Sequence, residues 1–396
     1  MTKYIFPLLL LLWSCSPLKV PPTGPCPAGE SMTINLDHPK AAALKAVMDA
    51  AVADGLPGLS VLINDADGTW MASSGYADIE NGILMEPCHI NKLGSVTKMM
   101  MGTLVWQLIQ EGKLDIATPI STYIPEVASK LPNGAQITLG QVLAHTAGVF
   151  DISRDLNYNL AVINDLSRSW TEEEILEFIE GKEAVHAPGE AVSYSNTHTL
   201  LAGLIIESVT GRQHADLLQE RILDPLGMSS TVYYDYSETF PQAHVAQGYL
   251  DFNNDGGDIQ NISALNPGSG NAFTGVYSTV GDLYVFLNAL LREKTLTSAE
   301  NLDFILSNFQ GLEDEERSWY PSFGSIHNEF RTELPDEKPA YGHAGGDIGY
   351  SANLNYFPHN DAIFAATYNY GANLPSPLRE RVRETMLELV KIVADE

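Results

Sequence analysis

The strand-forming segments of this chain lie near its two ends, and a long helical stretch separates them. Leu59–Ile63 and Thr69–Ser73 are short β-rich runs on either side of a turn, which predicts a hairpin. Ser351–Tyr356 and Ala362–Tyr368 predict two more strands close to the carboxyl end. Residues from about 116 to 292 are mostly helical and loop-like in pattern. This distribution predicts an α+β fold of two lobes, with one antiparallel sheet and an inserted all-α lobe.

Three amphipathic helices are predicted around these strands. The apolar residues of Ala41–Ala53 form one stripe, and Pro377–Ala394 has the same pattern with its proline in the first turn. We expect these N- and C-terminal helices to flank the sheet. A third helix is predicted from Ser95 to about Gln110, ending at Gly112.

Residues 1–15 are predicted to be a signal peptide and not part of the fold. The apolar stretch Tyr4–Trp13 is too short to span a bilayer, and it leads to Cys15 in a stretch that resembles a bacterial lipobox. We therefore predict an exported lipoprotein, periplasmic or on the cell surface, lipidated at Cys15. The alternative is an ordinary signal peptide that is cleaved nearby, with Cys15 lost. Residues 16–36 are rich in proline and predict an extended tether, and 37–396 form the globular domain.

The chain carries a strong negative charge. Its 50 acidic and 22 basic residues give a formal net charge of −28. A surface this negative repels phosphate backbones, so we expect no nucleic-acid partner.

Two cysteines remain once Cys15 is set aside. In an oxidising compartment Cys26 and Cys88 would be able to pair and pin the tether to the body, but two free thiols fit the sequence equally well. The sequence has no Cys-x-x-Cys and no cluster of histidine, cysteine and aspartate at metal-ligand spacing. We therefore predict no metal and no cofactor.

A serine and a lysine lie one helical turn apart at the start of the third helix. A serine hydroxyl is a poor nucleophile at its ordinary pKa and needs an adjacent base. Lys98 falls on the same helix face as Ser95, and a desolvated lysine can lose its proton and act as that base. The helix N-terminus also favours negative charge on an attacked carbonyl oxygen. The pair alone is a weak signal, because Ser16 and Lys19 repeat the spacing by chance.

Two later segments add groups that suit acyl transfer. Tyr194 and Asn196 precede a predicted helix and lie on a loop. The tyrosine can relay a proton if a lysine lowers its pKa, and the asparagine amide can hold a substrate amide or ester. The alternative is a packed tyrosine beside a helix cap. Tyr341–Gly346 precedes the late strands, and its glycines allow a backbone N–H to form half of an oxyanion hole.

Three motifs, in their order along the chain, resemble those of the penicillin-recognising serine hydrolases: Ser-x-x-Lys at Ser95, Tyr-x-Asn at Tyr194, and a basic residue followed by x-Gly at His343. Within that superfamily the chain is similar to the class C β-lactamase and D-alanyl-D-alanine carboxypeptidase family, from about Asp37 to the C-terminal helix. The resemblance implies an antiparallel sheet with terminal helices packed on it, an all-α lobe, and a site between the two.

The resemblance also implies roles for the matched residues, which fall into three groups. The implied catalytic residues are Ser95 as nucleophile, Lys98 as its base and Tyr194 as proton relay. The implied substrate-binding residues are Asn196, His343 and Gly345. The implied oxyanion hole is formed by the backbone N–H groups of Ser95 and Gly346.

The third motif departs from the β-lactamase pattern. Lysine is usual there in β-lactamases, whereas this chain has His343, and a neutral imidazole anchors a carboxylate less well than an ammonium does. Ala344 stands where a hydroxyl often helps to bind the carboxylate, which removes a hydrogen bond worth about 1 kcal/mol. Both changes count against efficient β-lactam hydrolysis. Arg331 is a candidate for the missing charge, although we favour a surface position for it.

Together these features predict an exported serine hydrolase that acts on D-amino-acid peptides, esters or related amides through an acyl-enzyme. A true β-lactamase is the alternative of the same class, and a surface-anchored, slowly acylating penicillin-binding sensor or scaffold is the alternative of another. His145, alone in a Thr/Ala/Gly loop, is predicted to be structural. The expected partners are a small-molecule or peptide acyl substrate and, through the lipid anchor only, a membrane.

Overall fold

A computed structural model describes residues 22–27, 32–165, 168, 170–233, 243–253, 259–263, 271–311, 317–372 and 376–395. The predicted signal peptide, Cys15 and parts of the predicted tether lie outside these residues. Of the helices formed within these ranges, none is both long enough and apolar enough to cross a bilayer.

An antiparallel sheet lies at the centre of the molecule, and the described residues contribute eight strands to it. In spatial order the strands are β3 (Ile83–Leu84), β2 (Gly68–Asp78), β1 (Gly58–Asp65), β13 (Ala362–Tyr368), β12 (Tyr350–Phe357), β11 (Ala340–Asp347), β10 (His327–Glu329) and β9 (Tyr320–Pro321). Strands β1 and β13 come from opposite ends of the chain and pair with Ser60 opposite Thr367. The predicted α+β fold with one sheet built from both ends is confirmed.

Short strands and the helices complete the described structure. The short strands are β4 (Asn91–Lys92), β5 (Val232–Tyr233), β6 (Tyr249–Leu250), β7 (Gln260–Asn261) and β8 (Val276–Ser278). The helices are α1 (Ala41–Ala53), α2 (Thr97–Gln110), α3 (Pro125–Lys130), α4 (Leu139–Leu143), α5 (Leu156–Asn164), α6 (Glu172–Ile179), α7 (Asn196–Thr210), α8 (His214–Leu218), α9 (Asp224–Leu226), α10 (Val280–Leu287), α11 (Ala299–Ser307) and α12 (Pro377–Ala394).

Helices cover both faces of the sheet, and the central strand β13 is buried on both sides. Along β13, Ile363 and Ala365 join one apolar cluster, and Phe364 and Ala366 join the other, because successive side chains point to opposite faces. The terminal helices α1 and α12 pack on each other and on the second face, as predicted. Helix α10 crosses the first face over β1, β12 and β13.

The helical lobe lies beside the first face of the sheet. Helix α2 packs against α7 and α8, and α7 packs against α4. The lobe was predicted to extend over residues 116–292, but α10 within that stretch packs on the sheet. The reason is that its buried side chains Val280, Leu283 and Phe286 belong to the cluster that also contains Ile363 of β13.

Residues 22–27 pack on the domain although they belong to the predicted tether. The Thr23 backbone N–H donates to the Asp78 carboxylate at 3.1 Å, and the Thr23 hydroxyl donates to the Val245 carbonyl at 2.8 Å. Cys26 is disulfide-bonded to Cys88, with their Cα atoms 5.9 Å apart. Of the two cysteine states that the sequence left open, the structure has the paired one.

The third motif precedes the two predicted late strands, β12 and β13, but it also forms a strand that was not predicted. Tyr341–Gly346 forms most of β11 itself, with His343 opposite Leu354 of β12. The closely spaced glycines interrupt the alternation of apolar residues from which a strand is predicted.

Candidate active site

The turn that carries Ser95 packs directly on β11. Gly94 has a φ of 53°, and a Cβ added to it would lie 2.6 Å from the carbonyl oxygen of Gly346. On the facing strand, a Cβ added to Gly345 would lie 2.0 Å from the carbonyl oxygen of Leu93. The two glycines therefore allow backbone to touch backbone, which no residue with a Cβ permits. This contact places Ser95, in a 3-10 turn that precedes α2, beside the backbone of Gly346.

Gly345 has a different place from the one predicted for it. It was expected to bind substrate, but it faces Leu93 and does not line the cavity onto which Ser95 opens. Its role is the close approach of β11 to the turn.

Lys98 is completely buried and lies next to the serine hydroxyl. Its Nζ is 2.8 Å from the Oγ of Ser95 and donates to the carbonyl oxygen of Phe273, also at 2.8 Å. Burial lowers the pKa of Lys98 to about 7, although the carboxylates of Asp151 and Asp347 oppose this shift. A neutral amine that donates to Phe273 still has a lone pair, and that lone pair can accept the Ser95 proton.

Tyr194 donates its hydroxyl hydrogen to the same Ser95 Oγ at 2.9 Å. Burial raises the pKa of Tyr194, and the hydrogen bond to Ser95 only partly opposes this. The expectation that a lysine lowers the pKa of this tyrosine is therefore wrong, because loss of solvent around the phenol dominates. Tyr194 is a neutral hydrogen-bond donor at physiological pH.

Asn196 is joined to Asp151 at the edge of the site. The Asp151 carboxylate accepts the backbone N–H of Asn196 at 3.1 Å and its side-chain amide at 3.3 Å. Asn196 lines the cavity, the position that a substrate-binding residue needs. Asp151 also accepts the backbone N–H of Ser153 at 3.1 Å and so caps the short turn that follows.

His343 is buried and neutral. Its Nδ1 lies 2.5 Å from the carbonyl oxygen of Ala344, and because a carbonyl only accepts, Nδ1 must carry the hydrogen. Burial lowers the pKa of His343 well below its ordinary value, and His327 and Lys98 act in the same direction. The third motif therefore offers no positive charge at pH 7. This agrees with the expectation that His343 anchors a carboxylate less well than a lysine does.

His145, which was predicted to be structural, is buried and contacts the loop that carries Tyr194. Its Nδ1 accepts the backbone N–H of Ser195 at 3.4 Å, and its carbonyl accepts the backbone N–H of Ser193 at 2.9 Å. Its ring lies 4.5 Å from the ring of Tyr194, measured between centroids. These contacts hold the loop that presents Tyr194 to Ser95.

The site opens onto a cavity of about 1120 Å³. Five of the predicted residues line it: Ser95, Tyr194, Asn196, His343 and Gly346. Aromatic residues form much of the remaining wall: Tyr158, Phe252, Phe273 and Trp319. Small-molecule pockets commonly measure roughly 300–1,000 Å³, so this cavity has room for a peptide-sized substrate.

Arg331 is not part of this cavity. Its guanidinium carbon lies 3.8 Å from the centroid of the Tyr320 ring, and a guanidinium nitrogen lies 3.8 Å from the carboxylate of Asp336. The surface position favoured for Arg331 agrees with these contacts.

A family model described as Beta-lactamase matches residues 44–385, which is most of the chain. The chain belongs to the beta-lactamase family. Protein flp of Staphylococcus aureus (strain MW2) is 31% identical to it over 197 residues, which are 49% of this chain and 38% of that protein. The chain therefore spans well under half of this relative's length.

Two solved structures resemble this beta-lactamase-family chain along nearly its whole length. A D-stereospecific amidohydrolase from Streptomyces sp. is 25% identical with a TM-score of 0.74, covering 87% of this chain and 97% of that one. The D-amino acid amidase from Ochrobactrum anthropi SV3, complexed with L-phenylalanine amide, is 26% identical with a TM-score of 0.76, covering 89% and 98%. Family and neighbours together identify the chain as a serine hydrolase.

Several residues of this beta-lactamase-family site were not found from the sequence. Phe273 contributes its backbone carbonyl, and such a contact cannot be inferred from the type of residue at that position. Asp151, His327 and Glu329 lie outside any motif and reach the site only through folding. Asp347 directly follows the third motif, so a motif extended by one residue would have included it.

Proposed function

We propose that this hydrolase cleaves amide or ester bonds through an acyl-enzyme formed on Ser95. The observation that carries the proposal is the 2.8 Å between the buried Nζ of Lys98 and the Oγ of Ser95. A lysine with the ordinary pKa of 10.5 is a cation at neutral pH and cannot accept the serine proton. With a pKa of about 7, Lys98 is neutral in about half of the molecules at pH 7.

Acylation begins when the Ser95 Oγ attacks the substrate carbonyl carbon and its proton passes to Lys98. We assign the backbone N–H groups of Ser95 and Gly346 as the oxyanion hole, because the two backbones lie side by side. As the bond to the leaving group breaks, that group takes a proton from Tyr194, and Lys98 replaces the tyrosine proton. Water then attacks the acyl-serine ester, which releases the acid and restores the Ser95 hydroxyl.

The proposed substrates are D-amino-acid peptides, amides or esters, in preference to β-lactams. The neutral His343 and the apolar Ala344 support this choice, because neither offers the charge or hydroxyl that anchors a β-lactam carboxylate. Two structural neighbours are, by name, a D-stereospecific amidohydrolase and a D-amino acid amidase, and we extend that class to this chain.

We also propose that the chain is exported and held at a membrane by lipid on Cys15. The disulfide between Cys26 and Cys88 supports export, because such bonds persist in oxidising compartments. This disulfide lies 11 residues beyond Cys15 and would keep the anchored end close to the domain.

Intact-protein mass spectrometry with a fluorophosphonate, a penicillin and a p-nitrophenyl ester tests the proposed nucleophile. We expect one fluorophosphonate adduct on the wild type and none on Ser95→Ala, whose ester turnover falls by several orders of magnitude. Ser153→Ala removes another serine from the same cavity and is expected to keep the adduct.

An adduct that survives on Ser95→Ala would contradict the assignment. Rapid loss of a penicillin adduct with penicillin turnover would favour the true β-lactamase. A stable penicillin adduct with no turnover of any ester or amide would favour the sensor or scaffold.

A further inference from the structure

Three side chains with metal-ligating atoms meet in the wall of the substrate cavity. They are His327 and Glu329 of β10 and His343 of β11, and their ligand atoms lie within 4.8 Å of one another. The Nδ1 of His327 is 3.8 Å from the Oε1 of Glu329, and the two imidazole rings lie 4.0 Å apart between centroids. The side chains are 3%, 7% and 3% exposed, yet all three line the cavity. The sequence predicted no metal because only the pairing of β10 with β11 brings them together.

The two histidines have ring nitrogens without partners. Among the residues that the structure describes, no group hydrogen-bonds the Nε2 of His327 or the Nε2 of His343. A buried polar atom left unpaired costs free energy, so a ligand that pairs with these two atoms would be stabilised. The Nδ1–H of His343 is donated to the Ala344 carbonyl, which leaves the lone pair on Nε2. Metal-binding histidines typically donate their other N–H to a carbonyl in this way.

Glu329 is held in place by hydrogen bonds. Its carboxylate accepts the backbone N–H of Ala344 at 2.8 Å and the side-chain amides of Asn355 at 3.0 Å and Asn353 at 3.4 Å. All three donors are neutral, and within the described part of the chain the carboxylate's one ion-pair contact is His327. A cation bound in the cavity would pair with this buried carboxylate.

We propose that His327, Glu329 and His343 bind a divalent transition-metal ion of the Zn²⁺ type. Two imidazoles and one carboxylate are a donor set that suits Zn²⁺ and its neighbours, and the hydrogen-bonded Glu329 and His343 are oriented as such ligands are. The rings of His327 and His343 lie 6.1 and 6.0 Å from the ring of Tyr194. A bound ion therefore occupies the substrate cavity, and it acts as a reversible inhibitor that competes with substrate.

Metal binding to the full chain is measured by calorimetry with Zn²⁺ and by visible absorption with Co²⁺. We expect a tetrahedral Co²⁺ spectrum in the wild type and its loss in His327→Ala, with Zn²⁺ affinity weakened about tenfold or more. Glu329→Gln keeps the shape of the side chain and is expected to give the same loss. It is the second test variant if His327→Ala fails to fold. The matched control is His38→Gln, which removes the histidine of the separate His38, Asp65 and Asp67 cluster and leaves the Co²⁺ spectrum unchanged.

Equal Zn²⁺ affinity in the wild type, His327→Ala and Glu329→Gln would overturn the proposal, as would a Co²⁺ spectrum lost only in His38→Gln. Inhibition gives a second readout, in which Zn²⁺ raises KM for ester hydrolysis and leaves kcat unchanged until a chelator removes it. Only this second readout rests on the proposed hydrolase function. A chain that binds Co²⁺ at His327 but hydrolyses no ester would keep the metal site and contradict the function.

Discussion

At the residue scale, burial shifts the pKa values of Lys98 and Tyr194 in opposite directions and favours the neutral form of each. Removing solvent disfavours the charged form of each, which lowers the pKa of the lysine to about 7 and raises that of the tyrosine. Both contact the same Ser95 Oγ, the lysine at 2.8 Å and the tyrosine at 2.9 Å. One physical cause therefore supplies a proton acceptor and a proton donor on either side of the nucleophile.

If Tyr194 relays a proton, the effect of removing its hydroxyl on kcat/KM is expected to depend on the leaving group. Tyr194→Phe removes the proton donor, so kcat/KM for an amide is expected to fall by about 10² or more. For a p-nitrophenyl ester kcat/KM is expected to fall less, because its leaving group departs without a proton. Steady-state kinetics on both substrates measures the difference, with Tyr158→Phe as a control in the same cavity. Equal losses on the two substrates would contradict a relay.

At the element scale, the site depends on the contact between β11 and the turn that precedes α2. Gly94 and Gly345 form that contact from its two sides, and a Cβ on either one meets backbone at 2.6 Å or less. Backbone atoms have no other rotamer to move into, so a substitution must separate the strand from the turn. Separation would displace Ser95 from Gly346 and widen the proposed oxyanion hole.

Gly94→Ala tests this contact against a matched glycine. Gly82 also has a positive φ, 66° compared with 53° at Gly94, but a Cβ on it would meet nothing within 4 Å. Gly82→Ala is expected to cost about 1–2 kcal/mol of unfolding free energy through its backbone conformation alone. Gly94→Ala is expected to cost more and also to slow fluorophosphonate labelling of Ser95. Urea unfolding and labelling rates measure both, and equal effects in the two variants would refute the role of the contact.

Local pattern predicted the regular elements well. The bounds of α1 and α12 match Ala41–Ala53 and Pro377–Ala394, because each helix has a continuous apolar stripe. Strand β11 was missed, since glycines replace the apolar residues that mark a strand. Strands β9 and β10 have two and three residues, too few for any periodicity to show.

The candidate site could be predicted only as far as side chains form a motif. Ser95 and Lys98 are close in sequence, and Tyr194 belongs to a recognisable triplet, so the three were named together. The Phe273 carbonyl and the Asp151 carboxylate reach the site through loop conformation. The low pKa of Lys98 needs complete burial, which is a property of the folded lobes and cannot be derived from the spacing of two residues.

At the scale of the whole molecule, the N-terminal segment is fastened to the domain. Thr23 is hydrogen-bonded to Asp78 and Val245, and Cys26 is bonded to Cys88. A lipid at Cys15 would therefore hold the domain close to a membrane. At the same time, the net charge of −28 would repel anionic lipid headgroups from the domain surface.

The proposed anchor predicts where the full-length chain is found after expression in a bacterium. The wild type is expected in the membrane fraction, with a mature N-terminus at lipidated Cys15 by mass spectrometry. Cys15→Ser is expected to leave that fraction and lose the lipid mass, whereas Cys26→Ser stays. A wild type that is cleaved beyond Cys15, or that is found unlipidated, would contradict the anchor.

The pH dependence of Ser95 acylation tests the central claim most directly. The fluorophosphonate labelling rate requires neutral Lys98, so it is expected to rise with pH and level off with a midpoint near 7. Burial lowers the pKa of His327 to about 3 and that of His343 well below its ordinary value, so neither titrates there. Lys98→Met is expected to react slowly and without a midpoint near 7. A wild-type midpoint near 10.5, the ordinary pKa of lysine, or the same midpoint in Lys98→Met, would contradict the assignment of Lys98 as the base.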